Sequence, residues 1–407
     1  MDHQIIKMNI ALVTPYFPDE HTMDSGIANH YQLLAQSLAK SGHQVTVLHV
    51  RGRYENEQDA FNSYTPAPNI TVLTYKVKVP PTVYRLFKNK WAIIDLVIKL
   101  RCMLVTAKVL NKIIKASKID VVETSSYFSL CYFTLYKKAK APIAVRVSTT
   151  FAQMMKEHYP FKSRGMDVVA AMEIAFIKKS SNLVTHAYSH AEELERLYHV
   201  NANSFVIIPH GVNLPPVSPQ NSSGALPIKV LYTGRLEYRK GTDVLLAAIP
   251  LVLQKNPEVL FELIGHDPGN QYQTWFEQEN EAYILQQVNF RGRVPDQALA
   301  DAYQNCDLFV APSRYESFGI IYIEAMSYAK PVIGCSVGGV PDIITDNHNG
   351  ALADPGDAQS LADKILMLVN DTALRTEMGR NARKTVEDKF TGEKLAANSS
   401  FYYQTLR

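Results

Sequence analysis

Several stretches of the chain place polar residues at spacings that could do chemistry. In Tyr232-Thr233-Gly234-Arg235-Leu236-Glu237-Tyr238-Arg239-Lys240-Gly241, a run of strand formers ends at a glycine. Cations follow, just before a helical pattern begins. A helix N-terminus beside fixed positive charge suits a diphosphate, because amide dipoles and cations act on the same anion. The same cations could equally form a solvated face. In Ala311-Pro312-Ser313-Arg314-Tyr315-Glu316-Ser317-Phe318-Gly319, Glu316 stands in the turn after an apolar run. Glu324 follows inside the apolar stretch FGIIYIEAMSYA. A carboxylate in such a stretch is costly unless it is paired or meets ligand hydroxyls. The two carboxylates could therefore grip sugar hydroxyls, and the amides of Phe318 and Gly319 could meet a phosphate between them. The alternative makes Glu316 a helix N-terminal charge and pairs Glu324 with a neighbouring base. Gly338-Gly339-Val340-Pro341 permits close backbone approach or is simply a turn. Asp24-Ser25-Gly26-Ile27 offers one glycine that could approach a phosphate, short of the dinucleotide-binding pattern.

These residues need elements to hold them. Met8–Thr14 reads as a buried strand, and the following Pro15-Tyr16-Phe17-Pro18 cannot continue as helix. Asn29–Ser41 reads as an amphipathic helix closed by Gly42, and Gln44–Val50 as the next strand. Further strands are expected at Ile119–Glu123, Ile143–Val147, Leu183–Tyr188 and Phe205–Ile208. The proline-rich segment Leu214–Pro227 has the composition of a linker, so a domain boundary is expected there. The alternation then restarts, with strands at Ile228–Thr233, Val259–Ile264, Val288–Arg291, Leu308–Pro312 and Val332–Cys335. Helices are expected at Thr242–Leu253, Pro295–Asn305, Ile320–Ala329, Ala358–Asn370 and Thr372–Lys389. Strands alternating with helices imply parallel sheets, and ligands of such sheets bind at the carboxyl ends of strands. The expected class is α/β, with two Rossmann-like doubly wound domains facing a cleft. Residues 1–214 would form the first and 215–389 the second, with the C-terminal helix at about 390–407 packing back on the first.

Composition narrows the chemistry. Hydrophobic residues make up 46% and charged residues 20% of 407, which fits a globular protein and excludes collagen-like or disordered chains. Cys102, Cys131, Cys306 and Cys335 show no metal-ligand spacing and fit a reducing cytoplasm. No D-x-D occurs, the histidines form no H-E-x-x-H, and none pairs with a cysteine at ligand spacing. No run of apolar residues is long enough to cross a membrane, and the N-terminus reads as a strand rather than a signal peptide. The formal charge of +3 hides a split: 25 basic against 16 acidic side chains in residues 1–215, and 17 against 23 in 216–407. No nucleic-acid recognition motif accompanies this charge, so nucleic acid is not an expected partner. Lys76–Lys118 holds eleven Lys or Arg and a single acidic residue, Asp95. Its apolar part, Trp91–Leu110, carries Lys99, Arg101 and Lys108. It could rest on an anionic membrane surface, or be a core helix with a solvated basic face.

Taken in order, YTGRLEYRKG, APSRYESFGIIYIEAM, KPVIGCSVGGVPDII and NGALADPGD resemble the donor half of the family 4 retaining glycosyltransferases, the glycogen synthase-like group 1 enzymes of GT-B fold. Glu316 and Glu324 match the E-x7-E element of that family, and MNIALVTPYFPDE, Gly26 and VIIPHGVN match its N-terminal half more loosely. The resemblance implies a metal-independent, retaining hexosyltransferase with no cofactor. Its donor would be a nucleotide diphosphate sugar, such as a UDP-hexose or GDP-mannose. The acceptor would be a saccharide or a lipid-linked molecule, in cell-surface polysaccharide, lipopolysaccharide or glycolipid synthesis. The enzyme would be cytoplasmic, peripheral at the inner face of the membrane where the basic stretch makes contact. It implies that Arg235 and Lys240 hold the diphosphate, with Ser317, Phe318 and Gly319 assisting. Glu324 would take the ribose, Glu316 the transferring sugar, Gly26 the phosphates, Arg293 and Val294 the base, and Gly265 would border the pocket. Where many relatives carry a histidine near the reacting sugar, Arg146-Val147-Ser148-Thr149-Thr150 has Ser148, which can donate a hydrogen bond but is no neutral-pH base. That departure leaves two other readings open: a non-catalytic sugar- or nucleotide-binding partner protein, and a nucleotide-sugar epimerase.

Overall fold

The computed structural model of the chain describes residues 6–19, 26–53, 57–87, 90–136, 140–158, 164–216 and 226–407. They divide into two compact units. Unit 1 comprises Met1–His210 with Gly392–Arg407, and unit 2 comprises Gly211–Thr391. The first crossing therefore falls at His210–Gly211 rather than at 214–215. The reason is local: Val212 bridges to Thr391, and its amide donates to the Phe390 carbonyl at 2.8 Å, so the chain joins unit 2 before the proline-rich segment. Of that segment, residues 217–225 lie outside the described residues.

Unit 1 contains β1 (Asn9–Thr14), α1 (Gly26–Lys40), β2 (Gln44–Gly52), β3 (Phe61–Ala67), β4 (Ile70–Val77), α2 (Pro81–Phe87) and α3 (Trp91–Ala116). It continues through β5 (Val121–Ser125), α4 (Tyr132–Tyr136), β6 (Ile143–Arg146), α5 (Phe151–His158), α6 (Arg164–Lys179), β7 (Leu183–Thr185), α7 (Tyr188–Tyr198) and β8 (Phe205–Ile207). Its sheet order is β3-β4-β2-β1-β5-β6-β7-β8, parallel except for the β3–β4 pair. The antiparallel β3 was not expected from sequence. It is an edge strand with its side chains exposed, so it lacks the apolar alternation that marks a half-buried strand. The expected strand Leu183–Tyr188 stops at Thr185, because Tyr188 already opens α7. The Thr185 hydroxyl donates to the Val147 carbonyl at 3.0 Å and meets His190 Nδ1 at 2.7 Å, folding the helix back over the strand end.

Unit 2 contains β9 (Ile228–Thr233), α8 (Thr242–Lys255), β10 (Val259–Ile264), α9 (Gln271–Glu279), α10 (Ala282–Leu285), β11 (Val288–Gly292), α11 (Asp296–Asn305) and β12 (Leu308–Val310). Next come α12 (Ile320–Ser327), β13 (Val332–Cys335), α13 (Val340–Ile343), β14 (Gly350–Ala353), α14 (Ala358–Asn370) and α15 (Thr372–Lys389). The last helix, α16 (Gly392–Thr405), belongs to unit 1 and packs on α1. The sheet of unit 2 runs β11-β10-β9-β12-β13-β14, all parallel. This is the doubly wound order, in which the connections leaving β9 and β12 run in opposite directions, to β10 and to β13, and open a crevice at their carboxyl ends. Val230, Tyr232, Phe261, Leu263, Val310 and Ile333 fill the core between sheet and helices. Burying each such side chain contributes roughly 1.5–3 kcal/mol.

The basic helix α3 has two faces. Ile94, Cys102, Met103, Leu110 and Ile114 are buried against unit 1, whereas Arg101, Leu104, Lys108, Lys112 and Lys115 are exposed. Lys99 breaks the pattern: it lies on the buried side, paired with Asp95.

Candidate active site

The site of unit 2 is built from the two strand ends that flank its crevice. β9 ends at Thr233 and delivers Gly234 and Arg235; β12 ends at Val310 and delivers the turn that carries Glu316. Glu316 Oε1 accepts from Lys240 Nζ at 2.5 Å and from the Ser313 hydroxyl at 3.0 Å, and Arg239 Nη1 lies 4.0 Å from Oε2. Burial disfavours the charged carboxylate. Lys240 and Arg239 outweigh that, with hydrogen bonds from Lys240 and Ser313, and hold the Glu316 carboxyl below its usual range. The turn is pinned from behind by the adjacent glycines. Gly338 has φ +49°, and a Cβ there would stand 1.9 Å from the Glu316 carbonyl oxygen. The Gly339 amide donates to that same carbonyl at 2.9 Å. The Gly-Gly pair thus makes its close approach to the Glu316 backbone, and it acts by positioning the carboxylate.

Glu324 lies on α12, with its carboxylate bound by a phenol rather than a base. The Tyr303 hydroxyl donates to Oε2 at 3.0 Å and contacts the Thr233 hydroxyl at 2.8 Å. Burial pushes the Glu324 carboxyl up, and the Tyr303 hydrogen bond partly offsets this. α12 opens at Gly319, whose φ of +103° is a left-handed N-cap, with no side chain capping it. Phe318 is buried and packs edge-on against Phe390 at 5.8 Å, and Ser317 beside it is half-buried.

The other cations differ in freedom. Arg235 is 61% exposed at the side chain and lies 3.4 Å from Glu237. Arg239 pairs with Glu237 at 2.8 Å. Arg314 makes a forked pair with Asp243 at 2.6 and 2.7 Å and stacks 3.8 Å over Tyr238. Arg239, Ser313 and Tyr303 complete the carboxylate contacts and were not singled out from sequence. Arg239 stood in the quoted motif, whereas Tyr303 carries no signal of its own, since only the fold brings α11 to α12.

Beside this cluster a cavity of about 340 Å³ is lined by Leu236, Gly265, Asp267, Phe290 and Arg293, among others. Val294 is not part of its lining. Gly265 has φ +154°, and a Cβ there would lie 1.7 Å from the Gly234 carbonyl oxygen, so the β9 and β10 loops touch backbone to backbone. Arg293 is exposed at the rim, just past β11.

In unit 1, Gly26 is the exposed first residue of α1, and a Cβ there would meet nothing within 4 Å. No protein atom of the described residues demands a glycine at that point. Asp24 and Ser25 lie outside the described residues. Ser148 is half-buried just past β6. Histidines do converge in unit 1, but elsewhere: His30, His186, His190 and His210 form a buried group, with His210 Nδ1 2.8 Å from His30 Nδ1. Desolvation holds His30, His190 and His210 below the usual imidazole range, that of His190 at about 3. Among the described residues no group of three or more His, Cys, Asp or Glu could hold a metal ion.

Two doubly wound α/β units, the second presenting clustered cations and carboxylates at its crevice, define the GT-B class. Residues 25–215, which span most of unit 1, match the model described as Glycosyltransferase Family 4. Residues 218–385 match Glycosyl transferases group 1. The chain belongs to this group 1, family 4 glycosyltransferase family. Among curated relatives, glycogen synthase of Mycobacterium tuberculosis is 26% identical over 63% of the chain, and the match spans only 62% of that enzyme. Among solved structures, sucrose-phosphate synthase of Thermosynechococcus elongatus has a TM-score of 0.73 at 20% identity, covering 98% of this chain and 99% of its own. HepE of Anabaena in complex with UDP has a TM-score of 0.69 at 18% identity, covering 98% and 100%.

Proposed function

We propose that the chain transfers a hexose from a nucleotide diphosphate sugar to a hydroxyl acceptor, with retention at the anomeric carbon and without a metal ion. The observation that carries this reading is Glu316. It is a carboxylate kept ionised beside Lys240 and Arg239, at the crevice of a doubly wound sheet and next to the N-terminus of α12. In this reading the Lys240 ammonium and the exposed Arg235 guanidinium take the charge that develops on the leaving diphosphate, helped by the amides that open α12. Fixed donors of this kind need no reorganisation as charge develops. Ser317 lies in the same turn. Glu316 orients the sugar hydroxyls, Glu324 the ribose, and the cavity bordered by Gly265 and Arg293 takes the base, with Val294 outside its lining. For unit 1 the reading keeps what the sequence resemblance implies, a phosphate role for Gly26 and a hydrogen-bond donor in Ser148. Structures of HepE hold UDP and UDP-glucose, which supports a donor of this chemical class.

The test is a screen of UDP- and GDP-hexoses for release of free nucleoside diphosphate in the presence of saccharide acceptors, with the product's anomeric coupling read by NMR. Release with a retained anomer is expected. Nucleotide binding without glycoside formation, or an inverted product, would overturn it.

The reading extends to an anionic bilayer as the surface on which the enzyme works. Support comes from the outward side of α3, where Arg101, Lys108, Lys112 and Lys115 surround the exposed Leu104, and from the exposed Leu86 of α2. No described helix is long and apolar enough to cross a membrane. Vesicles containing anionic lipid should float with the protein at low salt and release it at high salt. Equal flotation with neutral vesicles would remove the electrostatic contact.

A further inference from the structure

The switch point of unit 1 lies between β1 and β5, which are neighbours in the sheet while their chain connections leave in opposite directions. Ligands of doubly wound sheets bind at this kind of place. Three aromatic rings stand there. Tyr16 follows the end of β1, and Tyr127 and Phe128 follow the end of β5. The Tyr127 and Phe128 rings stack at 4.5 Å and 24°, and Tyr16 lies 5.9 Å from Tyr127 and 5.7 Å from Phe128. All three residues are half-buried.

The turn that presents them is held in an unfavourable backbone. Phe128 and Ser129 have φ of +63° and +49°, two successive left-handed residues that are not glycine. Such outliers persist only where the surroundings enforce them, and they concentrate at ligand sites. Here the surroundings are explicit. The Tyr127 amide donates to Ser125 Oγ at 3.1 Å, and the Ser126 hydroxyl donates to Glu173 at 2.8 Å. The other Glu173 oxygen accepts from the Phe151 amide at 2.7 Å, tying the ends of β5 and β6 together. On the protein side, Lys99 Nζ lies 4.5 Å from the Phe128 ring centre and 4.9 Å from that of Phe151. Its charge is answered by Asp95, whose carboxylate side chain is 48% exposed.

We propose that this aromatic cluster is a stacking subsite for a neutral pyranose ring of a saccharide acceptor, lying against Tyr16, Tyr127 and Phe128. The chemistry selects the ligand. A pyranose offers a patch of C–H bonds that packs on an aromatic face, and hydroxyls at its edge for the partly exposed Asp95 carboxylate. A phosphate would find poor purchase, since the Lys99 ammonium is 5% exposed and neutralised by Asp95. This subsite rests on the transferase reading for its place in the reaction, but its binding is measurable without turnover.

The experiment is saturation-transfer NMR on the full chain with a panel of neutral methyl hexopyranosides. It compares wild type with Phe128→Gly and Tyr127→Ala, and titrates UDP and GDP by calorimetry in parallel. Phe128→Gly removes a ring while relieving the left-handed strain, so it keeps the fold. Saturation of ring C–H protons is expected in wild type and should fall severalfold in both variants, and the acceptor KM should rise roughly tenfold. Nucleotide affinity should be the same in all three proteins. Absence of saturation in wild type, or equal saturation in wild type and both variants, overturns the subsite. Absence of nucleotide binding in wild type instead overturns the transferase reading, and the two failures are read by different measurements.

Discussion

Both units set a carboxylate against a cation at the carboxyl end of a strand, and the two pairs are finished differently. In unit 1, Arg146 grips Glu123 with two nitrogens at 2.8 and 3.2 Å and donates its third to the Ile208 carbonyl at 3.0 Å. The Tyr403 hydroxyl from α16 donates to Glu123 at 2.7 Å, and both charged side chains are at most 2% exposed. In unit 2, the Lys240 and Glu316 side chains stay 14% and 10% exposed, and Glu316 Oε2 faces Arg239 at 4.0 Å. The first pair is saturated by its own protein. The second keeps capacity for a further hydrogen bond, as a ligand site requires. Burial depth and completed geometry, rather than residue type, separate the two pairs, and the proposed reading makes the unit 2 pair the ligand-facing one.

Four measurements would break or sharpen this contrast. The largest effect is expected from Arg146→Met, which leaves Glu123 buried without its cation. Urea unfolding should show a loss of about 3–5 kcal/mol, and a loss below 1 kcal/mol would mean that the unit 1 pair is not structural. Next, Glu316→Ala should lower turnover about 10²–10³-fold while thermal unfolding stays near wild type. A collapse of stability would make the unit 2 pair structural as well.

The third effect depends on pH. Burial is the main cause that pushes the Glu173 carboxyl up to about 7, above its usual value of 4.5, while hydrogen bonds from Phe151 and Ser126 oppose the shift. The folded state then holds this proton more tightly than the unfolded state. Its contribution to stability is full below pH 4.5 and is lost as pH rises through about 7. Glu173→Gln should flatten the stability profile by about 3 kcal/mol across that window, and an unchanged slope would remove Glu173 as its source. The smallest structural effect is expected at the exposed Arg235. Arg235→Ala should shift stability by no more than about 0.5 kcal/mol yet weaken nucleoside diphosphate binding in calorimetry. Unaltered Kd would return Arg235 to the solvated surface.

Much of unit 2 was legible. The strands Ile228–Thr233, Val259–Ile264 and Val332–Cys335 and the helices Ala358–Asn370 and Thr372–Lys389 fall where apolar periodicity puts them. They are buried on regular faces, and the helices begin at strong signals: Asp357 accepts from the Gln359 and Ser360 amides of α14, and Asp371 from the Leu374 amide of α15. Unit 1 was harder. β3 is exposed and so carries no burial pattern, and Tyr188 fits a strand by residue type but opens a helix because of the fold-back over Thr185. The sequence carries Ser148 where many relatives have histidine. The four buried imidazoles instead come from α1, α7 and the segments after β7 and β8, a convergence that no spacing encodes.

The sequence by itself determined the alternation of strands and helices and the residue types of the donor motifs, because local periodicity, turn chemistry and motif order are short-range properties. Tertiary structure alone decided which charges are consumed internally. Strand order brought Gly338 against the Glu316 carbonyl, Tyr303 to Glu324, Tyr403 to Glu123, and Lys99 beneath Phe128. Each contact joins residues that share no local pattern, and the free energy of a buried polar group depends on the partner it meets there.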